Sequence, residues 1–183
     1  MRVIAGRFRS RVLKSVPGLD VRPTPDRLRE ALFNILAPRI SGATFIDAYA
    51  GSGSIGIEAL SRGAGRVILI ENNRDALAVI NNNARALGIE DEITILRGSA
   101  ALLLPSQQAD IVFLDPPYER EKEYSASLSA LEKTGCKFAI AQHSSRLTLD
   151  EAYGSLRKHR ILRQGDNLLS FFELVTPGSS SSE

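Results

Sequence analysis

The stretch Asp47-Ala48-Tyr49-Ala50-Gly51-Ser52-Gly53-Ser54-Ile55-Gly56 decides how the rest of the chain reads. It follows the apolar run Thr44-Phe45-Ile46 and precedes Ile57-Glu58-Ala59-Leu60. Its second half matches G-x-G-x-x-G between a short buried strand and a helix that runs to about Ser61. In such a turn the first two glycines let backbone approach a ligand, and the third lets helix pack tightly on strand. Alone, the pattern is also that of an ordinary strand-to-helix turn.

Working outward, strands and helices alternate. Upstream, Thr24 reads as an N-cap and Pro25 as the first helical residue. Leu28, Ala31, Leu32, Ile35 and Leu36 form a core-facing stripe, and Pro38 is expected to end that helix. Downstream come a strand at 67–71, a helix at 75–87 closed by Gly88, and a third strand at 93–96. A fourth strand at 110–115 is stopped by Pro116-Pro117. Then follow a helix at 125–133 and a fifth strand at 137–141. Residues 156–162 and 168–175 read as two paired strands around Gly165-Asp166. This predicts an α/β fold: a doubly wound, mostly parallel sheet of seven strands whose last pair is antiparallel. The expected division is a basic N-terminal arm and helix (1–40), a main domain (41–176) and a polar tail (177–183).

The composition is that of a globular chain: 183 residues, 43% hydrophobic and 24% charged. No apolar run approaches the length of a membrane span, and no signal-peptide pattern opens the chain, so a cytoplasmic protein without a membrane is expected. The single cysteine, Cys136, cannot form an internal disulfide or a cysteine-based metal site, and no metal is expected. A monomer is the default expectation. Charge is unevenly spread. Residues 1–29 carry eight basic and two acidic side chains, whereas the remainder carries 15 and 19. A basic arm on a mildly acidic body suits a nucleic-acid partner, and a solvated N-terminus has the same composition. Apolar residues among the arginines (Val3, Ile4, Phe8, Val12, Leu13) read as a strand or hairpin docked on the body.

In open α/β sheets ligands bind beyond the carboxyl ends of the strands, and the unusual residues gather there. Asp47 ends the first strand and Glu71 the second. A carboxylate at Glu71, twenty residues after Gly51, can accept hydrogen bonds from both hydroxyls of a ribose. Asp47 beside the loop would repel a pyrophosphate but suits a cationic ligand. S-adenosylmethionine, with an ammonium, a sulfonium, a ribose and no phosphate, answers that description better than a nicotinamide dinucleotide. Asp115-Pro116-Pro117-Tyr118 ends the fourth strand. Pro116 forces Asp115 into extended backbone, and two prolines remove two N–H donors, leaving acceptors. Tyr118 adds an aromatic face for a flat base. Such a corner could orient a planar exocyclic amine, such as N2 of guanine, toward a methyl group.

These motifs carry a family resemblance. Asp47 to Gly53 resembles the cofactor motif of class I, Rossmann-like S-adenosylmethionine-dependent methyltransferases. Asp115-Pro116-Pro117-Tyr118 resembles the catalytic motif of those that methylate amino nitrogens. Arg22-Pro23-Thr24, Arg27 and Glu30-Ala31-Leu32-Phe33-Asn34 are similar to the bacterial RsmD family, across about residues 2–175. That resemblance implies methylation of guanine N2 in 16S ribosomal RNA, within a 30S subunit or an assembly intermediate. It implies that Asp47, Ala50, Gly51, Ser52 and Gly53 hold the methionine end of the cofactor. Glu71, with Asn72, would hold the ribose, and Ser99 and Ala100 would lie at the adenine. Thr24 and Asn34 would help close the site. Asp115, Pro116, Pro117 and Tyr118 would be catalytic, and Arg7, Arg9, Arg11, Lys14, Arg22 and Arg27 would grip RNA. Ser99 departs from the family's usual acid, Tyr49 from its Phe and Gln164 from its Tyr. The alternatives left open are an amino methyltransferase acting on DNA adenine or protein glutamine and, from the glycine loop alone, a nicotinamide-dependent oxidoreductase.

Overall fold

The computed structural model describes residues 1–17, 25–117 and 120–175. Its strands are β1 (Thr44–Asp47), β2 (Arg66–Glu71), β3 (Ile93–Arg97), β4 (Ile111–Leu114), β5 (Phe138–Ser144), β6 (Ala152–Tyr153), β7 (Leu156–Gln164) and β8 (Asn167–Leu174). The helices are α1 (Asp26–Ile40), α2 (Ser54–Ser61), α3 (Arg74–Leu87), α4 (Ala100–Leu103) and α5 (Glu121–Ala130). One sheet holds all eight strands in the order β3-β2-β1-β4-β5-β8-β7-β6. The first five pair in parallel, and β8, β7 and β6 add antiparallel neighbours beyond β5. Strand order reverses at β1, which lies between β2 and β4, so the ligand crevice of such a sheet falls at the ends of β1 and β4.

The central strands β1, β2, β4 and β5 are largely apolar because both faces are covered. Phe45, Val67, Leu69, Ile111, Phe113, Phe138 and Ile140 join the core on one face, with the stripe of α1. Their alternates Ile46, Ile68, Ile70, Val112, Leu114, Ala139 and Ala141 join the other, with Tyr124 and Leu128 of α5. Gly56 allows α2 to lie this close: a Cβ there would meet Leu69 Cδ2 at 2.2 Å.

Four expectations need correction. The sheet has eight strands, not seven, because β6 is only two residues long and shows no alternation in the sequence. Pro38 does not end α1, which continues to Ile40. The carbonyl it leaves without an N–H partner belongs to Asn34, an exposed residue that water can serve, while Ile40 keeps the last turn anchored in the core. The fifth strand runs on to Ser144 because β8 continues to pair with it, Gln142 opposite Leu169 and His143 opposite Leu168. Lastly, α5 begins at Glu121, which puts Glu121 and Glu123 at the positive end of the helix. The tail at 177–183, the N-cap reading of Thr24 and the Arg22-Pro23-Thr24 motif lie outside the described residues.

The basic arm is docked through turns. Its ladder is a single bridge between Arg2 and Val12, and Val3 and Leu13 enter the core. Fully buried Glu58 of α2 accepts N–H bonds from Ile4 at 2.8 Å and Ala5 at 3.0 Å. Arg62 donates to the same carboxylate at 2.7 Å. Ser61 accepts from Phe8 N and donates to Ala5 O. Asn83 of α3 accepts from Lys14 N and donates to the carbonyls of both Lys14 and Ser52, bridging the arm to the glycine loop. Arg29, 1% exposed, donates to Arg2 O and to Asp26.

Candidate active site

The glycine loop grows directly out of β1. Ala48 N donates to Phe113 O of β4, and Ala50 N to Ile70 O of β2, so the chain stays tied to both neighbours past the strand's end. Gly51 then turns with φ +54° and has no atom within 4 Å of where a Cβ would stand, leaving that side open to a ligand. Gly53 is the N-cap of α2, with φ +79°. Ser52 is half-buried and Ala50 buried.

Asp47 is 1% exposed, and its Oδ2 accepts from Gly56 N at 3.1 Å. Burial raises its carboxyl to about 7. The Glu71 charge adds to the rise, and the bonds from the Gly56 and Tyr49 backbone oppose it. An ionised carboxylate is therefore costly in this position. Glu71 is placed at the end of β2, as its spacing implied, but it is not idle. Its Oε2 accepts from Gly51 N at 2.7 Å, and its Oε1 from Asn72 N and Asn73 N at 2.7 and 2.8 Å. Three of about four acceptor positions are thus engaged. Oε1 is full and Oε2 keeps one position beside Gly51 N, so a ligand taking both oxygens would have to displace Asn72 N or Asn73 N.

Asp115 follows β4, two residues beyond the partner of Asp47 in the β1–β4 register. The residue keeps some solvent exposure, yet packing around its carboxyl raises it to about 8, with the Asp47 charge contributing after burial. Two carboxylates on neighbouring strands therefore share one crevice and resist joint ionisation. Pro116 is buried and Pro117 exposed; Tyr118 lies outside the described residues. Gln142 of β5 donates from Nε2 to Asp115 Oδ2 at 3.1 Å. The fully buried Tyr124 donates to Gln142 O at 2.8 Å and lies 3.4 Å from Pro116 O. The expected fifth strand, 137–141, stops one residue short of Gln142. Its amide between two strand carboxyl ends becomes visible once β5 extends past Ala141.

Other expected residues spread along the rim. Asn72 and Ser99 are exposed at the ends of β2 and β3, and Ala100 is buried at the start of α4. Ser99 is the N-cap of α4 but makes no side-chain cap bond. Asn34 is exposed on the third turn of α1, and no bond ties it to the glycine loop; Thr24 lies outside the described residues. Tyr49 places its hydroxyl 2.7 Å from Ser127 of α5, a contact that a phenylalanine could not make. The basic arm is less open than its composition suggested. Arg7 pairs with Glu92 at 2.6 Å and lies over the Phe8 ring, and Arg11 donates to Ala86 O at the end of α3. Arg9, Lys14 and Arg27 are exposed, and Arg22 lies outside the described residues. Among those described, no group of three or more His, Cys, Asp or Glu side chains could hold a metal, and no helix is long and apolar enough to cross a membrane.

Comparison with known proteins bears on the family and the fold. The family model described as conserved hypothetical protein 95 matches residues 1–173. A Bacillus subtilis protein, YlbH, named as a candidate rRNA methyltransferase, is 35% identical over 167 residues, covering 85% of this chain and 89% of its own. The Escherichia coli ribosomal RNA small subunit methyltransferase D is 39% identical over 121 residues, 66% of this chain and 61% of that protein. Among solved structures, the E. coli protein yhhF, described as a candidate methyltransferase, superposes with a TM-score of 0.81 at 33% identity, covering 95% of this chain and 97% of that one.

Proposed function

We propose, because this chain belongs to the family described as conserved hypothetical protein 95, that it is a methyltransferase of small-subunit ribosomal RNA. In this reading it uses S-adenosylmethionine and acts on the exocyclic N2 of a guanine. The observation that carries the reading is the pair of buried carboxylates, Asp47 and Asp115, at the carboxyl ends of adjacent strands beside an open glycine turn. The names of the B. subtilis and E. coli relatives support the RNA substrate.

The residues present fit the cofactor. Asp47 presents a buried acid to the ammonium and sulfonium, and Glu71 offers an acceptor to a ribose hydroxyl. Neither suits a pyrophosphate, which disfavours a nicotinamide dinucleotide. When bound, S-adenosylmethionine supplies a methyl group whose bond to sulfur breaks as the bond to nitrogen forms, the electron pair staying on sulfur. Asp115 does the complementary work. Its Oδ1 accepts an N–H of the target amine, aligns the nitrogen lone pair and takes the proton that the amine sheds. Pro116 and Pro117 keep competing N–H donors out of this corner.

The test uses tritiated S-adenosylmethionine and 30S subunits from a strain lacking this gene. The expected product is labelled N2-methylguanosine in 16S RNA. Label in another nucleoside would overturn the target atom. No label in RNA, with S-adenosylhomocysteine still bound, would move the search to DNA adenine or protein glutamine. Binding of a nicotinamide dinucleotide alone would overturn the cofactor.

The exposed Arg9, Lys14 and Arg27 are proposed to meet the RNA backbone. Reversing all three to glutamate is expected to weaken RNA binding and to flatten its salt dependence by roughly one unit of log–log slope per lost phosphate contact. Affinity for S-adenosylhomocysteine should hold. Charge reversal is a cleaner test than deleting residues 1–14, which would uncover Glu58 and remove Val3 and Leu13 from the core.

A further inference from the structure

We propose that Gln142 is a positioning residue for the transfer: its amide holds Oδ2 of Asp115, so that Oδ1 is the oxygen presented to the target amine. The inference rests on the reading of Asp115 given above and deepens it. Gln142 is 2% exposed and lies on a strand held from both sides, by β4 and by β8. Its Nε2 reaches Asp115 Oδ2 at 3.1 Å. Its backbone carbonyl takes the Tyr124 hydroxyl at 2.8 Å, and the same hydroxyl lies 3.4 Å from Pro116 O. Three elements thus converge on the corner that carries Asp115. Among the described residues, Gln142 is the hydrogen-bond partner of this carboxyl.

The residue type matters. An amide donates one directed hydrogen bond without bringing a charge. Lysine or arginine here would form an ion pair, bind the carboxylate as a counterion and repel a cationic cofactor. Glutamine fixes the carboxyl plane and leaves its negative charge for the amine. The neighbouring His143 does not share the task. Its ring nitrogens are 2.8 Å from Ser170 Oγ and 3.0 Å from Ser144 O. The ionised group felt at Asp115 is Asp47 on β1, and the phenol on the α5 side is Tyr124, already bonded to Gln142 O.

The test compares Gln142→Met, which keeps volume and loses the donor, with Gln142→Glu and Asp115→Ala. For Gln142→Met, kcat should fall about 10- to 100-fold, the rate equivalent of one hydrogen bond to a charged group. KM for the cofactor and the melting temperature should hold. The acid limb of the kcat profile should move to higher pH, since a donor that favours the carboxylate is gone. Gln142→Glu should be slower still, with its acid limb higher again. An unchanged kcat in Gln142→Met would overturn the inference. So would a fall that tracks lost thermal stability while the acid limb stays in place. If Asp115→Ala is inactive while Gln142→Met is intact, only the positioning role fails. If Asp115→Ala is active, the reading of the site fails with it.

Discussion

Replacing Asp115 by alanine is expected to lower kcat for methyl transfer by about 10²- to 10³-fold, the usual cost of removing one preorganised electrostatic contact to a reacting group. The amide-like nitrogen of a nucleobase is a poor nucleophile because its lone pair is delocalised. An acceptor that holds its N–H favours the charge developing on nitrogen, and no other described side chain stands at that corner with the same capacity. The cofactor should respond differently. The Asp47 charge raises Asp115, but the charge that raises Asp47 is that of Glu71, so deleting Asp115 leaves Asp47 as it was. Affinity for S-adenosylhomocysteine should therefore hold. Single-turnover rates and calorimetric titration separate the two effects. A loss of both rate and affinity would assign Asp115 to cofactor binding instead.

The second large effect concerns Asp47 and pH. Burial lifts Asp47 to about 7 and Asp115 to about 8, against ordinary values of 3.8. The folded chain without cofactor therefore holds protons that the unfolded chain has released. The contribution of these two groups to stability should be greatest below the ordinary carboxylate range and should decline as pH rises from about 4 to 8. A cationic cofactor reverses the trend, because it binds the ionised carboxylate and expels the proton. Affinity should rise with pH up to about 7, and titrations in buffers of different ionisation enthalpy should report proton release. Asp47→Asn should abolish most of that linkage and weaken cofactor binding about 100-fold, the size of effect seen when one partner of a buried charge pair is lost. Affinity that is flat with pH in the unmodified protein would refute the pairing of Asp47 with a cation.

The parts of this molecule visible in the sequence are those set by short-range pattern. Gly51, Gly53 and Gly56 occupy the turn and helix positions that their spacing required. The unbroken apolar runs at 67–70 and 111–114 lie in strands covered on both faces. Asp47, Glu71 and Asp115 stand at strand ends because strands of known direction must end there. What stayed hidden depends on partners distant in sequence. Glu58 is one charge in an apolar helix, and the N–H groups of Ile4 and Ala5 that hold it lie 54 and 53 positions earlier. Gln142 fell outside the expected fifth strand because β8, which extends β5 past Ala141, lies 25 or more residues further on. The ring of Pro38 alone predicts a helix end, and the burial of Ile40, which carries the helix past it, has no local signature. The engagement of Glu71 by Gly51, Asn72 and Asn73 arises from the bend of the loop itself, and apolar periodicity carries no trace of it.

The way the arm is fastened also bears on the order in which the chain can fold. Its anchors are remote: Ile4 waits for a residue 54 positions later, Lys14 for one 69 later and Arg7 for one 85 later. A ribosome adds about 5–20 residues per second. The arm therefore leaves the tunnel several seconds before α2, α3 and Glu92 exist to receive it. During that interval its arginines are unpaired and its valine and leucine are bare, close to a surface made of ribosomal RNA. Closing these long loops is entropically costly, so the segment proposed to grip RNA can dock fully only after residue 92 has been made.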